Sequence, residues 1–449
     1  MLQNDMPKGT MLDINENIWN WNWNNHPTIS KIQNNDPPIL SMYGAHRVQE
    51  SMLNLPQWLQ QYFHWHAEQS RNPQPDTKYI VVACFNGTKC GGTSDRLRAL
   101  PYYLLVANQT QRVLLIKWTK PHDLSEFLVP PGDVDWRSRV ELDQMIENHD
   151  FIPHVLIGYC GLNKFTKLHV EECLEKAVHQ VQVLEGHDQP SHRYLLLETP
   201  SKDYPMINQM NMLYQKYSYQ SEMPFLGMWE YPNHFGDIFR VMFEPVPELA
   251  GLVNRTMSLL GLVEDGFDSA HVRARFPVKS MPVQRIDKRG GFPFEGAMKD
   301  KIVQVAENAV MCASQLSKHE QKLHRAIFFA SDSHHLTSYM MQNATTLAEN
   351  VHCVGVDRET EPLHIDRDDG SPGSVPSDFY SGFEDLLIMG GSSCVSHGVG
   401  SFGSLGAALS GNQCRALHRI WNGEPIACPN IRAETHFVSV DVPVHELSY

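Results

Sequence analysis

From Tyr79 onward the chain alternates apolar runs of strand length with longer amphipathic stretches, and this alternation restricts the fold more than any other feature. Tyr79 to Phe85 is apolar throughout, as a strand buried on both faces must be. Ser94 to Leu100 starts a helix that Pro101 is expected to interrupt, and Arg112 to Trp118 is the next strand. Pro153 to Gly158, His169 to Val183 and Arg193 to Glu198 continue as strand, helix and strand, whereas residues 200–240 show no readable period. Pro247 to Leu260 reads as a helix leading into a second half. There Ser269 to Phe276, Arg325 to Ala330, Val351 to Val356 and Ser393 to Ser396 are strands. Between and after them, Glu295 to Leu316, His334 to Asn350, Ser377 to Met389 and Ser404 to Leu409 are helices. Such alternation implies parallel sheets covered by helices, an α/β fold class.

The 449 residues exceed the about 250–300 at which a single core stops growing, so two domains are expected. The expected boundaries are an irregular leader over 1–75, a first α/β domain over 76–245 and a second over 246–449. The leader is rich in Asn, Trp and Pro, with Trp19, Trp21 and Trp23 in close succession, and has no basic-then-apolar signal pattern. No apolar run approaches the roughly 20 residues of a membrane span. A formal net charge of −14 argues against nucleic acid as partner, although a local basic cleft can still hold a small anion. The 9 cysteines fit neither zinc spacing nor a redox pair; only Cys84 and Cys90 are close enough to suggest a local bridge. Sequons begin at Asn86, Asn108, Asn254 and Asn343, a number close to chance for so Asn-rich a chain.

Candidate chemistry concentrates between Asp385 and Gly411. An apolar run ends in Ser396-His397, glycines follow at 398, 400 and 403, and a helix then begins. Glycines let backbone approach a ligand, and a helix start offers N–H groups to phosphate; Ser401 and Ser404 add hydroxyls. The spacing Gly398-x-Gly400-x-x-Gly403 also fits a dinucleotide fingerprint, but too little sequence follows for the rest of such a domain. Four strands of the second half end in polar groups: His271, Arg273 and Arg275; Ser331, Asp332 and Ser333; Asp357 and Arg358; His397 and Ser401. His271 and Arg273 lie two apart and face one way, and an arginine there suits a two-pronged grip on phosphate. Asp332 either meets a ligand or caps the helix after it. Asp133-Val-Asp135 and Asp366-Arg-Asp368 spell D-x-D in loops and are discounted as chance matches.

With these residues in view, the chain resembles the GT-B fucosyltransferases, the group of protein O-fucosyltransferases, core α1,6-fucosyltransferases and their plant or algal relatives. Cys90-Gly-Gly-Thr-Ser-Asp-Arg-Leu-Arg98 is similar to their amino-terminal glycine-rich loop, and His271-Val-Arg273 to their H-x-R motif. Ile327-Phe-Phe-Ala-Ser-Asp332 is similar to their strand ending in Ala-Ser/Thr-Asp, and the 385–411 segment to their terminal phosphate-binding motif. The resemblance implies a GT-B-like architecture, two doubly wound parallel-sheet domains facing a cleft, with the acceptor on the first and the donor on the second. It implies inverting, metal-independent transfer from GDP-fucose to a glycan or glycoprotein, with no cofactor beyond that donor.

Arg273 would then bind the β-phosphate and serve catalysis, and His271 would lie by the nucleotide. Ser401, Phe402 and Gly403 would bracket the diphosphate. Gly91 and Gly92 would let the first domain close over the donor, and Asp332 or Asp385 would meet guanine or ribose. Asp95 is the candidate general base, its alternative being a helix cap before Arg96. A Golgi or ER lumen follows from the resemblance, although the membrane anchor usual in Golgi members has no counterpart in this chain. Two departures stand out: Ala274-Arg275-Phe276-Pro277 follows the H-x-R motif, and Met281 stands where core fucosyltransferases carry an acidic residue. The rival readings are another nucleotide sugar, a nucleotide- or carbohydrate-binding protein of this fold without turnover, and a dehydrogenase.

Overall fold

The computed structural model describes residues 45–85, 90–156, 176–184, 193–198, 234–275, 296–319, 326–343, 351–363, 365, 374–398, 400–411, 414–417, 420–421 and 424–425. All belong to the second of two compact units, Pro38–Tyr449, so the tryptophans at 19, 21 and 23 lie outside the described residues. The end of the expected irregular leader is helical, as α1 (Ala45–Asn54) and α2 (Gln57–Arg71). Val48, Met52 and Leu55, then Leu59, Tyr62, Phe63 and Ala67, recur at helical spacing and are buried. The Asn-rich composition upstream concealed that period.

The first sheet contains β1 (Tyr79–Cys84), β2 (Val113–Trp118), β4 (His154–Leu156) and β5 (Tyr194–Glu198), all parallel, in the order β2-β1-β5-β4. Tyr79, Val81, Val113, Leu115, Tyr194 and Leu196 form its core with Leu142 of α5 (Val140–Glu147). Between β1 and β2 run α3 (Thr93–Leu97) and α4 (Leu100–Gln109). Pro101 opens α4 rather than interrupting a helix, because the first turn needs no donated N–H from its residues. The helix expected over 169–183 is described only at 176–184, where it is helical. A short antiparallel ladder joins β3 (Leu128–Val129) to β6 (Glu244–Pro245), which lies between α6 (Phe235–Met242) and α7 (Pro247–Leu259).

The second sheet contains β7 (Asp268–Val272), β8 (Ala326–Ser331), β9 (His352–Val354), β10 (Cys394–His397) and β11 (Arg415–Leu417), again parallel, in the order β11-β10-β7-β8-β9. Ala270, Val272, Ile327 and Phe329 pack on α8 (Gly296–His319) and α9 (His334–Asn343) in one buried cluster. The opposite face meets α10 (Tyr380–Gly390) and α11 (Ser401–Leu409). Parallel strands with helices against them make the fold α/β.

Strand order locates the functional edge. The chain runs β7-β8-β9 outward to one side, then returns to lay β10 against the other side of β7. The carboxyl ends of β7 and β10 therefore flank a topological switch point, where open α/β sheets bind ligands. In the first sheet the order reverses between β1 and β5, so the loop after β1 occupies the corresponding place.

Candidate functional site

β7 ends at Val272, earlier than the expected Phe276, because the next N–H groups leave the ladder. Those of Ala274 and Arg275 donate to one Asp332 oxygen, at 2.6 and 3.0 Å. Strand alternation puts Ala270 and Val272 on the α8 side and sends His271, only 5% exposed, toward α11. The approach there is close. A Cβ on Gly403 would lie 2.7 Å from His271 Nδ1, 3.0 Å from His271 Cβ and 2.9 Å from His397 Cβ. The Phe402 ring lies over His271, centroid to centroid 5.2 Å.

Gly400 caps α11 at a φ of 92°, a conformation that favours glycine. A side chain there would also meet Arg273, whose Nη1 and Cδ would lie 3.1 and 3.2 Å from an added Cβ. The Arg273 guanidinium thus lies across the start of α11. This helix begins at Ser401, three residues before the expected Ser404, so Ser401, Phe402 and Gly403 form its first turn. First-turn N–H groups have no intrahelical acceptor and carry the positive end of the helix dipole. At the other end Arg240 donates to the Leu409 carbonyl at 3.1 Å, neutralising the negative end. The Ser401 side chain lies outside the described residues.

The carboxylates considered as ligand groups are engaged within the protein. Asp332 does not cap α9: Glu361 accepts the His334 N–H at 2.7 Å and Ser333 Oγ that of Leu336 at 3.5 Å. Asp332 instead fixes the turn after Arg273. Burial raises its pKa above the usual carboxylate value, against the pull of the two N–H donors and of Arg273 and Arg275. Asp385 receives Arg358, with Nη2 at 2.7 Å and Nη1 at 3.0 Å on its two oxygens. Glu384 takes Arg358 at 2.9 Å and Thr256 Oγ1 at 2.6 Å. Burial raises the Asp385 carboxyl despite Arg358. Desolvation works to lower Arg358, but its two carboxylate partners hold it raised. Nothing in the one-dimensional spacing announced Arg358 as their partner. Asp133 and Asp135 form ion pairs with Arg71 and Arg137; Asp366, Asp368 and Met281 fall outside the described residues.

The glycine-rich loop of the first sheet faces the same helix. A disulfide joins Cys84 to Cys90, closing the loop after β1, and α3 packs against α11. Gly91 adopts a φ of 73°, and a Cβ there would lie 2.7 Å from Asp95. Asp95 accepts the Gly92 N–H at 3.0 Å, the helix-cap alternative to its reading as general base. Buried Arg96, which the sequence did not single out, holds the loop from below. Its Nε donates to the Gly91 carbonyl at 2.9 Å, and its guanidinium lies 4.8 Å from the Trp118 ring centroid. A second disulfide, Cys394–Cys414, ties β10 to the start of β11; its 20-residue separation gave no local signal.

No protein-family model matches the sequence, and no curated protein does. Among solved structures, the chain is similar to a mutant of Arabidopsis thaliana FUT1 in complex with GDP, at 12% identity over 83% of this chain and 82% of that one, TM-score 0.45. NodZ alpha-1,6-fucosyltransferase from Bradyrhizobium, soaked with GDP-fucose, is similar at 10% identity over 78% and 98%, TM-score 0.40. POFUT1 in complex with GDP-fucose is similar at 11% identity over 76% and 96%, TM-score 0.40. Likenesses at this level carry no argument for a shared activity.

Proposed function

We propose that this chain is a glycosyltransferase that takes fucose from GDP-fucose and passes it, with inversion, to a hydroxyl of a glycan or glycoprotein. The observation that carries this reading is the Arg273 guanidinium lying across the first turn of α11 beside His271, at the switch point of a parallel sheet. A guanidinium and a helix N-terminus aimed at one spot suit a diphosphate. In the reaction the acceptor hydroxyl oxygen attacks the anomeric carbon from the face opposite the diphosphate, and the bond from that carbon to the β-phosphate oxygen breaks. The hydroxyl proton passes to a base, for which Asp95 is the candidate, or to solvent. Charge collects on the departing GDP. Arg273 and the α11 N–H groups stand ready to offset it in the donor step without a metal. Glycines 91 and 92, on a loop that packs toward α11 through α3, would shield the donor.

In this reading the first sheet, within 76–245, presents the acceptor and the second, within 246–449, holds the donor. The disulfides Cys84–Cys90 and Cys394–Cys414 accord with an oxidising compartment, and we propose the Golgi or ER lumen. Among the described residues no helix is long and apolar enough to cross a membrane. A second reading, nucleotide-sugar binding without turnover, is favoured by the engagement of Asp95 as a cap rather than as a base.

Calorimetric titration with GDP in the presence of a chelator tests the donor, with UDP and NAD as controls. We expect GDP to bind on the order of micromolar, about −8 kcal/mol. Preference for UDP or NAD would sink the donor assignment. Once GDP binds, release of GDP from GDP-fucose with candidate acceptors separates the enzyme from the binding protein.

A further inference from the structure

We propose that His334, His335 and Glu361 form a binding site for a divalent transition metal, zinc by preference, which clamps the start of α9 to the loop after β9. One ligand atom from each residue lies within 4.8 Å of the others. His334 Nδ1 stands 3.3 Å from Glu361 Oε2. Ligand atoms held about 2.0–2.2 Å from zinc in tetrahedral geometry sit roughly 3.3–3.6 Å apart, so this pair already has the required spacing. The His334 and His335 rings lie side by side, centroids 3.8 Å apart, so a small ring rotation brings the third donor in.

His334 Nδ1 is shielded from solvent and makes no hydrogen bond among the described residues. Glu361 Oε2 meanwhile accepts the His334 N–H at 2.7 Å and retains a lone pair for a cation. That bond works as an outer-shell restraint, fixing the carboxylate before the metal arrives. His334 and Glu361 are largely covered while His335 is exposed, which leaves one coordination position open to water. Imidazole with carboxylate is a donor set suited to zinc. No sequence motif announces the site, because two adjacent histidines meet a glutamate 26 residues beyond His335 only through the β9 crossover. The metal would link the β8–α9 junction, which carries Asp332, to the loop that carries Arg358. It uses none of the cradle residues and stands whether or not the donor is GDP-fucose.

The test is zinc titration of the full chain, stripped with chelator and then freed of it, read by competition with a chromophoric chelator and by thermal midpoint. Wild type should bind one equivalent that His335→Asn weakens by well over tenfold, since loss of a ligand exceeds the roughly 10–100-fold lost with an outer-shell partner. Zinc should raise the wild-type midpoint and leave that of His335→Asn unmoved. Because Glu361 also caps α9, Glu361→Gln is read by affinity alone and should match His335→Asn. Cobalt in wild type should show the intense visible bands of low coordination number. Absence of stoichiometric binding, or equal affinity in wild type and both variants, would overturn the proposal.

Discussion

Replacing Gly403 with alanine tests the closest approach in the cradle. On propensity alone, alanine inside a helix is favoured over glycine by about 1 kcal/mol, so the substitution should stabilise. The structure predicts the reverse. The new methyl would meet His271 Nδ1 at 2.7 Å, His397 Cβ at 2.9 Å and His271 Cβ at 3.0 Å. Two of these atoms are root carbons on β7 and β10, which no rotamer change can remove, so α11 itself must shift. Overpacking of this kind costs about 1–3 kcal/mol, and such fixed neighbours argue for its upper half. After the propensity gain, a net loss of roughly 1–2 kcal/mol remains. Gly382 supplies the control: it lies in α10, and a Cβ there would meet nothing within 4 Å. Gly382→Ala should therefore stabilise by about 0.4–1 kcal/mol. Thermal melts of the two variants should move in opposite directions by a few degrees, since about 1 kcal/mol shifts domains of moderate size by roughly 2–4 °C. Calorimetry with GDP should show weakened binding for Gly403→Ala only. If Gly403→Ala melts at or above wild type while Gly382→Ala behaves as expected, the packing of α11 on His271 is wrong.

The other variants separate binding from folding. Arg273→Ala removes one charge-assisted donor pair, worth about 1.5–3 kcal/mol, so GDP affinity should fall at least tenfold with the melting point nearly unchanged; a large loss of stability would make Arg273 structural. Arg358→Ala leaves Glu384 and Asp385, 3% and 4% exposed, without their cation, and should cost about 3–5 kcal/mol by denaturant unfolding. A change below about 1 kcal/mol would show that this pair is not buried as described. Burial holds the folded Asp332 pKa above its unfolded value, so its contribution to stability is full at low pH and declines as pH rises through the raised value. Asp332→Asn keeps the oxygen that accepts both N–H groups and should flatten that decline without loss at neutral pH. Asp332→Ala should lose about 1–3 kcal/mol, and equal denaturation midpoints for the two would refute the role given to this acceptor.

The sheets were legible because parallel strands buried on both faces leave uninterrupted apolar runs, as in Tyr79 to Cys84 and Ala326 to Ser331. Boundaries were legible only where propensity and tertiary bonding agreed. β7 stops at Val272 because Asp332, 60 positions beyond it, takes the following N–H groups, and no local signal carries that information. Strand order was not readable either. Alternation predicts parallel neighbours but not that β10 returns to β7, and this return brings Gly400 against Arg273. His271, Arg273 and Gly403 were found because glycine spacing and strand-end polarity are local. Arg96 and Glu361, and the Glu384 and Asp385 partners of Arg358, were not legible because each acts on residues remote in sequence or through backbone groups.

The acidic candidates carry a common lesson about the charge of the site. Asp95, Asp332 and Asp385 are the carboxylates that the sequence offers to a ligand, yet each accepts bonds from the protein itself. Asp357, at the third strand end, accepts Ser338 Oγ at 3.1 Å. These carboxylates shape the loops, whereas the groups meeting at the switch point are a guanidinium, an imidazole and a helix N-terminus. The overall charge of −14 thus contrasts with a switch point where a guanidinium and the positive end of a helix dipole face one spot. Such a local grouping can attract an anion despite the charge of the whole protein. Salt should accordingly weaken GDP binding more steeply than it alters stability, because screening acts on an anion approaching Arg273 through solvent and far less on Arg358, already closed against the buried Glu384 and Asp385. Salt-independent GDP affinity would mean that the nucleotide is held by stacking or shape and that the cradle is not its phosphate site.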